Sequence, residues 1–330
     1  MANADACAAY AVGHRAVVQI FGTGVRADVS SAGARAPRSA RAEGTAGRIP
    51  NAILQWPRGA RFVVVVDLRH SRLYLLRESA RGPRVVESFT DSIGRDGYGK
   101  RREGDLRTPV GIYHIERWIP GRRLPPIYGA GAFPLNYPDA WDRARRRTGY
   151  GIWIHGVPRG TKVLPPRSSE GCVVLANADV RALRSALRLP RGTPVILTDR
   201  LRWRSISKQR AVAASLRRDI RRWRRSWEAR DTSAYLAHYA PGFHTATGVD
   251  REQFARRARK VVGRKRWIKV GIRDLGLFRY PGAQDVVMAQ FIERYRSNDY
   301  AQRSRKQQFW QRQPDGRWKI VLVSDGPLVG

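Results

Sequence analysis

Two residues of the 330-residue chain could do chemistry together: His155 in Ile152-Trp153-Ile154-His155-Gly156, and Cys172 in Ser168-Ser169-Glu170-Gly171-Cys172-Val173-Val174-Leu175. A thiol titrates near pH 8.5, so little thiolate exists at neutral pH without help. A neighbouring imidazole stabilises the thiolate and later protonates a leaving amine, which is the logic of acyl transfer through a thioester. Cys172 closes a polar loop and opens an apolar run, so the Gly171 and Cys172 amides are candidates for an oxyanion hole. Such a hole is worth about 10²–10³ in rate per donor. Ser169 and Gly171 leave room for a substrate carbonyl, which assigns Ser169, Glu170 and Gly171 to a substrate loop. The competing reading makes Cys172 a small buried hydrophobe.

Such a pair has to be carried by elements that bring two distant segments together. From Arg61 to about residue 200 the pattern is of short strands: FVVVVDL, RLYLLRE, PRVVESFTDSIG, TPVGIYHIERW, GIWIHG and TPVILTD, with one helix over ADVRALRSAL. Many short strands and few helices predict a mainly β domain of sandwich or barrel type over residues 56–200. His155 then ends one strand while Cys172 begins another. After Asp199 the period changes. Ile206, Val212, Leu216, Ile220, Trp223 and Trp227 fall on one helical face, with Arg217, Arg218, Arg221, Arg222, Arg224 and Arg225 opposite. A short helix over TSAYLAHY follows, then a helix capped by Asp250 and Gln253. A four-stranded meander ends the chain, so residues 201–330 read as an α+β domain. Residues 1–55 read as an N-terminal region and flexible linker, the linker being the Ala/Arg/Gly/Ser-rich stretch 26–50.

Composition narrows the field. The formal charge of +36 suits a polyanionic partner, but the arginines are spread evenly along the chain and greatly outnumber lysine, which favours a compositional origin. No specific nucleic-acid partner is expected. Two cysteines, Cys7 and Cys172, are too few for a disulfide framework. Neither CxxC nor HExxH occurs, so no metal or other cofactor is expected. No apolar run is long enough for a transmembrane segment. The mildly apolar start is broken by His14 and Arg15 and is not a convincing signal peptide. His114, His238 and His244 read as structural histidines, and Cys7 as uninvolved.

The His155 and Ser-Glu-Gly-Cys spacing, together with Gly104, Thr108, Pro109 and Gly111 in GDLRTPVGIYHI, resembles the signature of YkuD-type L,D-transpeptidases. FPLNYPDAWD (Phe133 to Asp142) is similar to a stretch of that family's periplasmic branch. Residues 205–325 resemble nuclear transport factor two-like (SnoaL-like) cones, a layout shared with cell-shape-determining L,D-carboxypeptidases. The resemblance implies a YkuD-like β-sandwich followed by a cone of helices and a curved antiparallel sheet. It also implies that Cys172 is the acylated nucleophile and His155 the base, held by the Gly156 carbonyl. Diaminopimelate-containing peptidoglycan stem peptides would be the partner, and the periplasm or cell envelope the location. The sequence departs from the family at Glu170, where many members carry a second His, and at Val174. Asn136, Tyr137 and Trp153 are expected at the substrate groove, with core packing the alternative for Tyr137 and Trp153. Transfer to an amine, hydrolysis by water, and non-catalytic binding of an anionic polymer all stay open at this point.

Overall fold

The computed structural model describes residues 47–80, 82–161, 164–188 and 191–325. Cys7, the apolar start and most of the expected linker lie outside them. Two short strands come first, β1 (Arg48–Pro50) and β2 (Ile53–Gln55). The next region holds β3 (Phe62–Asp67), β4 (Arg72–Arg77), β5 (Arg84–Gly94), β6 (Gly111–His114), β7 (Ile119–Pro120), β8 (Gly131–Pro134), α1 (Ala140–Ala144), β9 (Trp153–Gly156), β10 (Arg167–Ser169), β11 (Val173–Leu175), α2 (Asn177–Leu187) and β12 (Pro194–Thr198). The rest comprises β13 (Trp203–Ser205), α3 (Ile206–Glu228), α4 (Thr232–Leu236), β14 (Tyr239–Thr245), α5 (Arg251–Gly263), β15 (Ile268–Arg279), β16 (Val286–Ser297), β17 (Ala301–Arg312) and β18 (Trp318–Asp325).

The first domain is one long sheet in the order β6-β12-β3-β4-β5-β11-β9-β8-β7, with β10 also on β5. The eleven-residue β5 is where it folds over. Its first part pairs with β4, then Asp91 and Ser92 pair with β11. One leaf turns Val64, Val66, Leu73 and Leu75 inward, and the other turns Phe133, Ile154, Val173 and Leu175 to meet them. Alternation along each strand puts every second side chain in this core. Val180, Leu183 and Leu187, three or four residues apart on α2, complete it.

The run FVVVV does not alternate because both of its faces are covered. Val63 and Val65 point the other way and pack with Ile112 and Ile196 against Phe278, Met288 and Phe309 of the second domain. Trp141 of α1 stacks on Phe309 with centroids 5.1 Å apart, and the Arg145 guanidinium lies over the same indole. Tyr280 donates to Asp139 at 2.9 Å, and His114 Nε2 donates to the Gln290 side-chain oxygen at 2.7 Å. The two domains therefore share a continuous apolar core with its polar ends paired.

The second domain wraps a six-stranded sheet, β14-β18-β17-β16-β15-β2, around α3. Leu216, Ile220 and Trp223 of α3 are buried against Phe291 and Trp310, while Arg217, Arg218 and Arg221 are exposed. Asp250 caps α5 by accepting the Gln253 N–H at 2.8 Å. Two strands exceed the expected meander. β14 is obscured in sequence by its Pro241-Gly242, and β2 is only three residues long. β2 also corrects the linker boundary at 55. It adds to the edge of the distant β15, and β1 pairs with β13, so residues 48–55 clamp the second domain before the first begins.

Candidate active site

β9 and β11 lie side by side and parallel, with Val174 beside His155 and Val173 beside Ile154. Ile154 and Val173 face the core, so His155 and Val174 face the opposite side. Cys172, two residues before Val174, joins that face and packs with Val157, Val174 and Trp153. Strand spacing alone places the Cα atoms of Cys172 and His155 on one diagonal of about 8 Å. The sequence thus brings together two residues seventeen positions apart by letting a loop leave one strand and return on its parallel neighbour.

His155 is buried, and its Nδ1 lies 2.8 Å from the Gly156 carbonyl oxygen. A carbonyl only accepts, so Nδ1 carries the hydrogen and Nε2 the lone pair. Burial pushes the imidazole pKa down to about 4, against a smaller opposing effect of the Gly156 carbonyl. The ring is neutral at pH 7, as a base must be before it accepts a proton. Tyr128 meets it edge-on at 5.0 Å and lies 4.8 Å from the Trp153 ring. These three rings form one aromatic wall, with Trp153 half-buried at its edge. Because the shift is downward, the His155 ring is expected to stay unprotonated between pH 8 and about 5. Imidazole chemical shifts followed by NMR should be flat over that range; an inflection near 6.5 would contradict the burial.

The Cys172 loop is built by Ser169. Its hydroxyl donates to the Cys172 carbonyl at 2.7 Å and accepts the Gly171 N–H at 3.1 Å. This corrects one expectation, since the Gly171 amide is engaged by Ser169 rather than presented to a substrate. Gly171 has φ +124°, and a Cβ there would sit 2.7 Å from the Arg107 carbonyl oxygen. Only glycine fits both constraints. That contact explains the Thr108-Pro109 stretch: buried Thr108 accepts the Gly94 N–H at 2.9 Å and holds residue 107 against the Cys172 loop. Cys172 itself is buried, with Sγ 3.4 Å from the Gly151 carbonyl oxygen. Glu170 pairs with Arg95 at 3.0 Å at the rim of the loop. Gly171→Ala is expected to shift the loop and lower kcat by about 10²-fold, the cost of an ångström-scale misplacement. Steady-state kinetics beside a thermal melt would check it, and an unchanged kcat would contradict it.

Asn136 and Tyr137 are not brought to this face. Asn136 Oδ1 accepts the His114 N–H at 2.7 Å, and Tyr137 is buried against Tyr113 with its hydroxyl on the Thr148 carbonyl. The stretch Phe133 to Asp142 docks the domains through Asp139 and Trp141. Conversely, Asn177 was not foreseen. Its Oδ1 accepts the Ala130 N–H at 2.6 Å and its Nδ2 donates to the Val157 carbonyl at 3.0 Å. This laces the Tyr128 loop to the end of β9. A Cβ at Gly156 would lie 2.2 Å from Asn177 Oδ1, so His155-Gly156 and Asn177 fit only as a set. No spacing rule links Asn177 to His155 in sequence.

The folded-over sheet, with a histidine and a cysteine on its outer face, defines a class. Residues 61–197 match the L,D-transpeptidase catalytic domain, YkuD, and residues 215–323 match the Cds6 C-terminal NTF2-like domain. The chain is thus a YkuD-type catalytic domain followed by an NTF2-like domain, the architecture of a peptidoglycan-acting L,D-transpeptidase and carboxypeptidase family. Among solved structures it is similar to Bd1075 of Bdellovibrio bacteriovorus, at 25% identity and TM-score 0.72 over 86% of this chain and 99% of that one. It is also similar to the helical cell shape determining protein Pgp2 of Campylobacter jejuni, in a single-site mutant form, at 26% identity and TM-score 0.70 over 83% and 93%. No curated protein matches the chain. Among the described residues no helix is long and apolar enough to cross a membrane.

Proposed function

We propose that the chain is a cysteine-dependent L,D-transpeptidase acting on peptidoglycan stem peptides in the cell envelope. His155 Nε2 takes the Cys172 thiol proton, and the sulfur attacks the carbonyl carbon of the L-centre of an L,D-bond next to diaminopimelate. The C–N bond breaks, His155 returns the proton to the departing D-Ala amine, and a thioester remains on Cys172. An acceptor amine then takes the acyl group. The observation that carries this reading is the Nδ1–Gly156 hydrogen bond. It fixes Nε2 as the accepting nitrogen of a neutral ring on the face it shares with Cys172. Ser169 and Gly171 shape the loop that presents the sulfur, and Glu170 with Arg95 forms the rim.

The two-domain likeness to a helical cell shape determining protein favours a second reading, in which water accepts the acyl group and the enzyme trims stem peptides as an L,D-carboxypeptidase. Reduced protein incubated with disaccharide-tetrapeptides separates the two by mass spectrometry of the products. Cross-linked dimers mean transfer, and disaccharide-tripeptides mean hydrolysis. Neither product, with folded protein and fresh substrate, would sink both readings.

A further inference from the structure

Between the domains, on the side reached by the C-terminal end of α2, lies a cavity of about 660 Å³. α2 has eleven residues and begins at Asn177 beside Gly156, so the cavity is about 15 Å, one helix length, from the His155 face. Five arginines line it: Arg58 and Arg61 before β3, Arg188 and Arg191 after α2, and Arg305 of β17. Asp274 is the one carboxylate among the lining residues. Among the described residues no ion pair engages any of the five. The interior is apolar, with Phe62, Leu187 and Phe291. A cavity of this size suits a small ligand rather than a bare ion.

We infer that this interdomain cavity binds a small ligand through an oxyanion group, held by the guanidinium forks while its body lies on the Phe62 and Phe291 surface. Guanidinium forks match carboxylate and phosphate oxygens in pairs, and such charge-assisted bonds are strong where water is excluded. Arg305 supports the inference. It is half-buried across the strand pair from Ile292, and burial pulls its pKa below the usual guanidinium value while Asp274 opposes the shift only in part. An incoming anion would supply the missing charge. The site does not depend on the reaction at Cys172.

A general arginine excess is the competing explanation, so the test needs a matched control. Binding of inorganic pyrophosphate and of disaccharide-tetrapeptide would be measured by calorimetry at low salt in the Cys172→Ala protein, which leaves the peptide unconsumed. The cavity variant Arg58→Ser/Arg188→Ser/Arg191→Ser changes three exposed residues. The control Arg217→Ser/Arg218→Ser/Arg221→Ser removes the same charge from the exposed face of α3. Saturable binding that weakens by about 10-fold or more in the cavity variant, and by less than about twofold in the control, is the expected result. Loss confined to pyrophosphate identifies a phosphate group, and loss for the peptide identifies a cell-wall carboxylate; either supports the inference. Equal weakening in both variants, or no saturable binding of either probe, overturns it.

Discussion

Cys172→Ala is expected to abolish turnover of disaccharide-tetrapeptides, lowering kcat by about 10⁴-fold or more, because no other group forms the thioester. The fold should survive. Alanine fits the space among Val157, Val174 and Trp153, and what is lost is one sulfur and its contact with the Gly151 carbonyl. Far-ultraviolet circular dichroism should be unchanged and the melting temperature should move by only a few degrees. Product analysis under reducing conditions reads the activity. A variant that kept more than about a hundredth of the wild-type rate would show that Cys172 is not the nucleophile.

A different large effect is expected at the domain junction. Phe309 is fully buried, stacked on Trp141 and packed with Tyr280. Phe309→Ala should cost about 3–5 kcal/mol through lost burial and the cavity left behind. At the size of this chain that lowers the melting temperature by about 10 °C. Because Val63, Val65, Phe278 and Met288 pack in the same cluster, both domains should unfold in one transition before and after the change. Calorimetry showing two transitions, of which only one moves, would mean that the domains do not share a core.

Much of this architecture was legible in the residues, and the parts that were not have physical reasons. The three- and four-residue spacing of Leu216, Ile220 and Trp223 revealed α3, and the period change after Asp199 revealed the second domain. The β-branched run at 62–66 revealed a strand but not that both faces are covered, because its outer partner lies more than two hundred residues away. β2 was hidden for a similar reason: three residues carry no period, and its partner is β15. In the site, His155, Cys172 and the Gly156 carbonyl follow from a spacing and a family resemblance. Ser169 and Asn177 act through hydrogen bonds that only the folded loops create. Asn136 and Tyr137 sit in a stretch resembling that of relatives, yet they serve the first domain's core, beside a junction made by Asp139 and Trp141.

The central claim is the thioester, and it can be seen directly. Reduced protein mixed with disaccharide-tetrapeptide and quenched within its first turnovers should gain, in intact mass, the acyl fragment left when D-Ala departs. Peptide mapping should place that mass on Cys172, and hydroxylamine should remove it. Turnover with no adduct on Cys172, or an adduct on another residue that hydroxylamine does not release, would contradict the mechanism.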